Sequence, residues 1–148
     1  MSYQEKKHIV SFISTVLIFG LYCWYVFQKV QNTNMDTMET LRFWAAAILI
    51  LIPVSVVAKI IIAIVFNIIY RITTKEIEPS FSDELDKLID LKATRNSHYV
   101  FTIGFLLAMG SLVLDMTPAT MFIILIFSGF LSEMAGVFTQ LYHYRKGV

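Results

Sequence analysis

The chain has 148 residues, of which 57% are hydrophobic and 16% are charged, and its formal net charge is +1. A soluble domain carries about 25% charged residues, so this composition favours an integral membrane protein. A net charge this small, without a basic run interleaved with aromatic residues, argues against binding of nucleic acid. The single cysteine, Cys23, excludes an internal disulfide and a CxxC redox pair.

Four long apolar stretches predict four transmembrane helices, at about 9–27, 43–69, 98–114 and 118–141. An α-helix needs about 20 residues to cross about 30 Å of hydrocarbon. The first, third and fourth stretches come near that length, whereas the second is longer, so its last turns are expected to protrude from the membrane. We therefore predict an all-α, single-domain four-helix membrane bundle for residues 1–148.

Lysine and arginine are distributed unevenly between the two ends of this bundle. If the N-terminus is cytoplasmic, Lys29 and Arg42 lie outside and Lys59 lies within a helix. The other basic residues then lie on the cytoplasmic side: Lys6, Lys7, Arg71, Lys75, Lys87, Lys92, Arg95, Arg145 and Lys146. Because loops rich in Lys and Arg stay in the cytoplasm, both termini are predicted to be cytoplasmic.

The connection at 71–97 is the one cytoplasmic segment with room for structure of its own. Phe81, Leu85, Leu88 and Ile89 are spaced for one face of a helix, which predicts a short amphipathic helix at 82–93. This apolar stripe is a candidate interaction surface for a protein partner, and less so for the lipid surface. The alternative is that it packs on the end of the second helix, around Phe66, Ile69 and Tyr70.

The same segment carries a motif. The run DELDKLIDLKA at 83–93 leads into a transmembrane helix at 96–100. It resembles a loose group of small predicted bacterial and archaeal membrane proteins with a D-E-x-D-x-x-I-x-x-K-A motif, although the third motif position, commonly Arg in that group, is Leu85 here. The resemblance implies a four-helix organisation and a prokaryotic origin, hence a cytoplasmic (inner) membrane, and it implies no activity.

Two ionisable residues, Lys59 and Glu133, lie inside the predicted spans at matching depth, in the cytoplasmic third. A charge within a membrane costs a few kcal/mol, so the two are expected to form an intramembrane ion pair. The pair could serve as a proton or cation site. The alternative is a structural role, with Lys59 reaching the inner headgroups and Glu133 pairing structurally or reaching interfacial water.

Small residues recur every four positions in the last two predicted helices. They are Gly104 and Ala108 in the third and Ser128, Ser132 and Gly136 in the fourth. Such stripes allow helix backbones to approach closely, so the third and fourth helices are predicted to pack as a hairpin. A homodimer through the fourth helix is the alternative use.

No spacing typical of a catalytic or metal site is present. His8, His98 and His143 fall near the cytoplasmic ends of helices, where interfacial positions are expected rather than metal ligation. We therefore predict no catalytic residues, no metal and no cofactor. The expected function is a non-enzymatic interaction or regulatory module with a cytoplasmic or membrane protein partner. The alternative is an oligomeric small transporter or ion-conducting or proton-conducting protein using Glu133 and Lys59.

Overall fold

The computed structural model describes residues 3–34, 36–75 and 84–147. These residues form α1 (Tyr3–Gln31), α2 (Thr37–Thr74), α3 (Glu84–Val113) and α4 (Pro118–Lys146). Each of the four is long and apolar enough to cross a membrane. The described residues thus confirm the all-α class and four helices able to span a membrane, which agrees with an integral membrane protein.

Consecutive helices run in opposite directions, so the bundle has two distinct ends. The terminal end holds Tyr3, Thr74, Glu84 and Lys146, and the loop end holds the turns α1–α2 and α3–α4. At the loop end, Asp36 caps α2 through a capping box with Glu39. Thr117 is the N-cap of α4, with Pro118 at its first position.

α4 is the central element of the bundle, because it packs against each of the other helices. Its interface with α3 is by far the most extensive, and α1 packs against both α2 and α4. Within the described ranges, no Cα of α2 lies within 8 Å of a Cα of α3. The same holds for α1 and α3, so α3 is joined to the rest of the bundle through α4.

The best-packed core lies near the loop end. Val26, Trp44, Ala47 and Ile126 form a buried cluster there, and Trp44 is only 2% exposed. The Tyr22 hydroxyl donates to the carbonyl oxygen of Ala47 at 2.5 Å, which ties α1 to α2. At the terminal end the same two helices are tied by the Tyr3 hydroxyl, which donates to the Asn67 side chain at 2.6 Å.

The structure differs from the sequence prediction in the segment 71–97. The predicted separate helix at 82–93 is not an element of its own, since its described part, Glu84–Ala93, is the beginning of α3. The residues that follow, 94–99, contain neither Gly nor Pro, so no residue there interrupts the hydrogen-bonded helix. Phe81 and Ser82 lie outside the described residues. Residues 71–74 likewise belong to α2 rather than to a connecting segment.

The N-terminal part of α3 packs on α4 and does not cover the end of α2. Ile89 is 0% exposed. Asp86 accepts a hydrogen bond from the Tyr144 hydroxyl at 2.5 Å, and Asp90 accepts one from Gln140 at 2.9 Å. The expected contact with Phe66, Ile69 and Tyr70 is therefore wrong for the described residues. Phe66 and Tyr70 contact the Tyr3 ring instead.

Candidate functional site: an ion pair, its cavities and the surface of α3

The ion pair joins the middle of two apolar helices. The ammonium group of Lys59 on α2 contacts the carboxylate of Glu133 on α4. α2 and α4 run in the same direction, and helical side chains lean toward the helix N-terminus, so both side chains lean toward the loop end. The Lys59 ammonium group is thus paired with Glu133 inside the bundle.

An apolar cavity of about 450 Å³ borders the pair. Its walls come from α1, α2 and α4, with Phe101 contributed by α3. Four wall residues are polar. Thr15, Lys59 and Glu133 are the wall members of α1, α2 and α4 that lie nearest the terminal end, and Ser55 lies about one turn from Lys59. Toward the loop end the walls are apolar, with Ile48 as the first wall residue of α2. The cavity is therefore polar at one end and apolar at the other.

Lys59 also lines a second cavity, of about 190 Å³, on the side of the terminal end. Lys7, Ser11 and Ser14 of α1 contribute the polar part of its wall. The Ser14 hydroxyl donates to the carbonyl oxygen of Val10 at 2.6 Å. Lys59 thus lies between an apolar cavity and a smaller one whose wall combines lysine and serine side chains with apolar ones.

The ion pair lies at the level where α3 changes from largely polar to apolar sequence. The Ser132 hydroxyl donates to the backbone oxygen of Ser97 at 2.8 Å, so Ser97 lies level with Glu133. Residues 84–98 of α3 are largely polar, and its apolar stretch begins at Tyr99. Seen from α3, the apolar belt of the bundle therefore starts at the level of the ion pair.

The predicted packing residues meet in the seam between α3 and α4. Gly104 is so close to Ser128 that an added Cβ would overlap the Ser128 side chain. A Cβ at Gly136 would lie 2.6 Å from the Ser97 hydroxyl oxygen. Ala108 is fully buried, and Ser132 bonds to Ser97 as described above. All five small residues lie in the hairpin of α3 and α4 within a single chain. This is the arrangement that the recurring small residues predict.

The surface of α3 at the terminal end keeps part of the predicted stripe exposed. Leu85 and Leu88 are 47% and 42% exposed, while Ile89 is buried against α4. Leu91, which the sequence analysis did not single out, is 70% exposed. Its spacing of three from Leu88 could have indicated it. We call Leu85, Leu88 and Leu91 the α3 surface.

The histidines do not converge. His8 stacks on the Tyr144 ring with 5.4 Å between ring centroids, His143 Nδ1 lies 3.2 Å from the backbone oxygen of Gly147, and His98 lies beside Tyr99. Among the described residues, no three His, Cys, Asp or Glu side chains are grouped to hold a metal ion. Tyr144 contacts both His8 and Asp86, so it links α1, α3 and α4, a role that no sequence pattern indicated.

No protein-family model, curated protein sequence or solved structure matches the chain. Its function is therefore inferred from its own residues.

Proposed function

We propose that this protein is a non-enzymatic module of a prokaryotic cytoplasmic membrane that binds a protein partner through the α3 surface. The terminal end faces the cytoplasm in this proposal, because most of the Lys and Arg residues belong to that end. Leu85, Leu88 and Leu91 then lie on the cytoplasmic side of the bundle.

One observation carries the proposal: the α3 surface is exposed on a helix that is held in place on its other side. Asp86, Asp90 and Asn96 bond to Tyr144, Gln140 and Thr139 of α4, at 2.5, 2.9 and 3.0 Å. The exposed leucines are thus presented by a helix continuous with a membrane span. A surface ordered before binding loses little conformational entropy when a partner docks.

A protein is a better occupant of this surface than the lipid headgroups. Residues 84–95 of α3 carry acidic Glu84, Asp86 and Asp90 together with basic Lys87, Lys92 and Arg95. Anionic lipid attracts segments with a clear excess of Lys and Arg, which this one lacks. Exposed leucines with charges of both signs around them are typical of a protein-binding groove or helix face.

The test replaces two leucines of the α3 surface in the full-length protein. Leu85→Glu with Leu88→Glu should abolish crosslinking between a photoreactive amino acid at Leu91 and a partner in native membranes. The protein should remain folded, since both side chains are about half exposed. The matched control is Lys87→Glu, which is exposed on the same helix and changes the net charge by the same two units as the double variant.

Three results would contradict the proposal. One is a crosslinked partner that persists at equal yield in the double variant. Another is a crosslink from Leu91 to lipid alone in the wild-type protein. The third is a loss of thermal stability in Leu85→Glu/Leu88→Glu as large as in Ile89→Glu, which would make the α3 surface part of the bundle's packing.

A second candidate function, an oligomeric ion or proton conductor, is favoured by the position of Lys59 between two cavities. The buried cluster of Val26, Trp44, Ala47 and Ile126 closes the loop end of the single chain, so conduction would require an oligomer. A pH-dependent flux in liposomes that Glu133→Gln abolishes would support this candidate, and equal flux with and without the protein would exclude it.

A further inference from the structure

The cavity beside the ion pair opens sideways out of the bundle. Its exposed wall residues lie on α2, α3 and α4: Ile52, Val56, Phe101 and Gly129. This is the side where α2 and α3 share no contact within the described ranges. For a bundle that spans a bilayer, such an opening faces lipid. A lipid chain can therefore enter the cavity without crossing water.

The dimensions of the cavity fit one acyl chain of one leaflet. Its volume of about 450 Å³ lies within the range of about 300–1,000 Å³ that is usual for ligand sites. Along α2 its wall runs from Ile48 to Lys59, which is about 16 Å at 1.5 Å per residue. That is roughly half of a hydrocarbon core of about 30 Å. The polar end of the cavity, at Lys59 and Glu133, faces the terminal end, where that leaflet's head groups lie.

The wall of the second cavity includes two lysines, whose positive charge suits a phosphate. Lys7, Ser11, Ser14 and Lys59 all line it, and it continues from Lys59 toward the terminal end. A lysine ammonium group has three donors, so Lys59 can keep its bond to Glu133 and still donate to a phosphate oxygen. Charge-assisted hydrogen bonds of this kind are about twice as strong as neutral ones.

We propose that a phospholipid from the leaflet at the terminal end places one acyl chain in the larger cavity and its phosphate at Lys59 and Lys7. The apolar end of the cavity takes the chain, and the ion pair marks the junction between chain and head group. This lipid site is separate from the α3 surface, so the test of lipid binding is independent of the test of the proposed protein partner.

The acyl-chain part of the proposal is tested with a substitution that fills the cavity. Gly129 lines the cavity, and a Cβ there would meet no heavy atom within 4 Å, so Gly129→Leu can begin a side chain in the cavity wall without displacing its neighbours. Gly20 is equally unhindered and lies outside the cavity wall, which makes Gly20→Leu the matched control. Native mass spectrometry of the detergent-solubilised protein with palmitoyl-oleoyl phosphatidylglycerol gives the affinity.

We expect one tightly bound lipid in the wild type and in Gly20→Leu, and about tenfold weaker binding in Gly129→Leu. Equal binding in Gly129→Leu and the wild type would overturn the proposal. Thermal unfolding of each variant shows whether it is folded. If Gly129→Leu does not fold, the smaller Gly129→Val carries the same test.

The phosphate part is tested with a second lipid and a second variant. Diacylglycerol with the same two chains lacks the phosphate, so the wild type should bind it about tenfold more weakly than the phospholipid. Lys7→Met should narrow that difference, whereas Lys29→Met, a lysine at the loop end, should leave it unchanged. Equal affinity of the wild type for the two lipids would overturn the phosphate assignment.

Discussion

Lys59 and Glu133 show how two charges can be kept within apolar helices. Each alone would leave an uncompensated charge in the membrane, which costs about 2.5–3.5 kcal/mol for a lysine at the centre of a span. Together they form an ion pair between α2 and α4. The two residues are thus energetically dependent on each other, whatever further role they have.

This dependence predicts strong coupling in a double-mutant cycle. Lys59→Met and Glu133→Gln should each lower the free energy of unfolding by about 1–3 kcal/mol, because each leaves one charge without its partner. The double variant should lose less than the sum, with a coupling energy of about 1 kcal/mol or more. Reversible unfolding in mixed micelles measures all four proteins, and additive losses would show that the pair contributes nothing.

A second prediction at this scale concerns Tyr22. Tyr22→Phe removes the hydrogen bond to the Ala47 carbonyl oxygen and keeps the ring, so unfolding should become easier by about 1 kcal/mol. Tyr25 lies on the same helix and is exposed, so Tyr25→Phe should change the free energy of unfolding by less than about 0.5 kcal/mol. Equal effects of the two changes would mean that the Tyr22 bond does not hold α1 to α2.

At the scale of elements, α3 and α4 form the tightest unit. Close approach of their backbones depends on Gly104, where a Cβ would overlap the Ser128 side chain. Gly104→Ala should therefore destabilise the protein by about 1–3 kcal/mol through overpacking. Gly110 is on the same helix, and a Cβ there would meet no heavy atom within 4 Å. Gly110→Ala should therefore be neutral or stabilising by up to about 1 kcal/mol.

Thermal or detergent-induced unfolding of the two alanine variants gives the comparison. Loss of stability in both variants would mean that glycine is needed along α3 for a reason other than the contact with Ser128. No loss in either would show that the seam can widen without cost.

The elements differ in how far the sequence predicts them. Apolar length predicts the four spans, and the repeats at Gly104 and Ser128 predict the hairpin, because both signals are local. Nothing local distinguishes a separate helix at 82–93 from the first turns of α3, since the polar residues 94–98 can continue a helix as well as end one. The helix against which Ile89 packs depends on tertiary packing. The sequence allowed α2 as an alternative, and in the structure the helix is α4.

The candidate site is also predictable from the sequence only in part. Matching depth predicts that Lys59 and Glu133 can meet, because helix rise converts residue number into height. The larger cavity beside them lies among α1, α2 and α4, and the smaller one lies between α1 and α2. No periodicity in these helices predicts either space. Tryptophan is common at membrane interfaces, yet Trp44 is buried at the loop end against Val26 and Ile126. That burial depends on tertiary packing and not on a local sequence pattern.

For the whole molecule, the open side and the two ends determine what can reach it. In the two proposals, lipid reaches the larger cavity from the side between α2 and α3, whereas a protein partner reaches the α3 surface at the terminal end. The proposed cytoplasmic partner takes its side of the membrane from the charge asymmetry, in which Lys29 and Arg42 lie at one end and most of the other basic residues lie at the other. The orientation of the bundle in the membrane is therefore the central claim.

Cysteine labelling of intact cells tests that orientation most directly. In a Cys23→Ala background, Asn34→Cys and Thr73→Cys place exposed thiols at the loop end and the terminal end. We expect a membrane-impermeant maleimide to label Asn34→Cys in intact cells and Thr73→Cys only after the membrane is permeabilised. Labelling of Thr73→Cys in intact cells, with Asn34→Cys protected, would place the α3 surface outside the cell and contradict the proposed cytoplasmic partner.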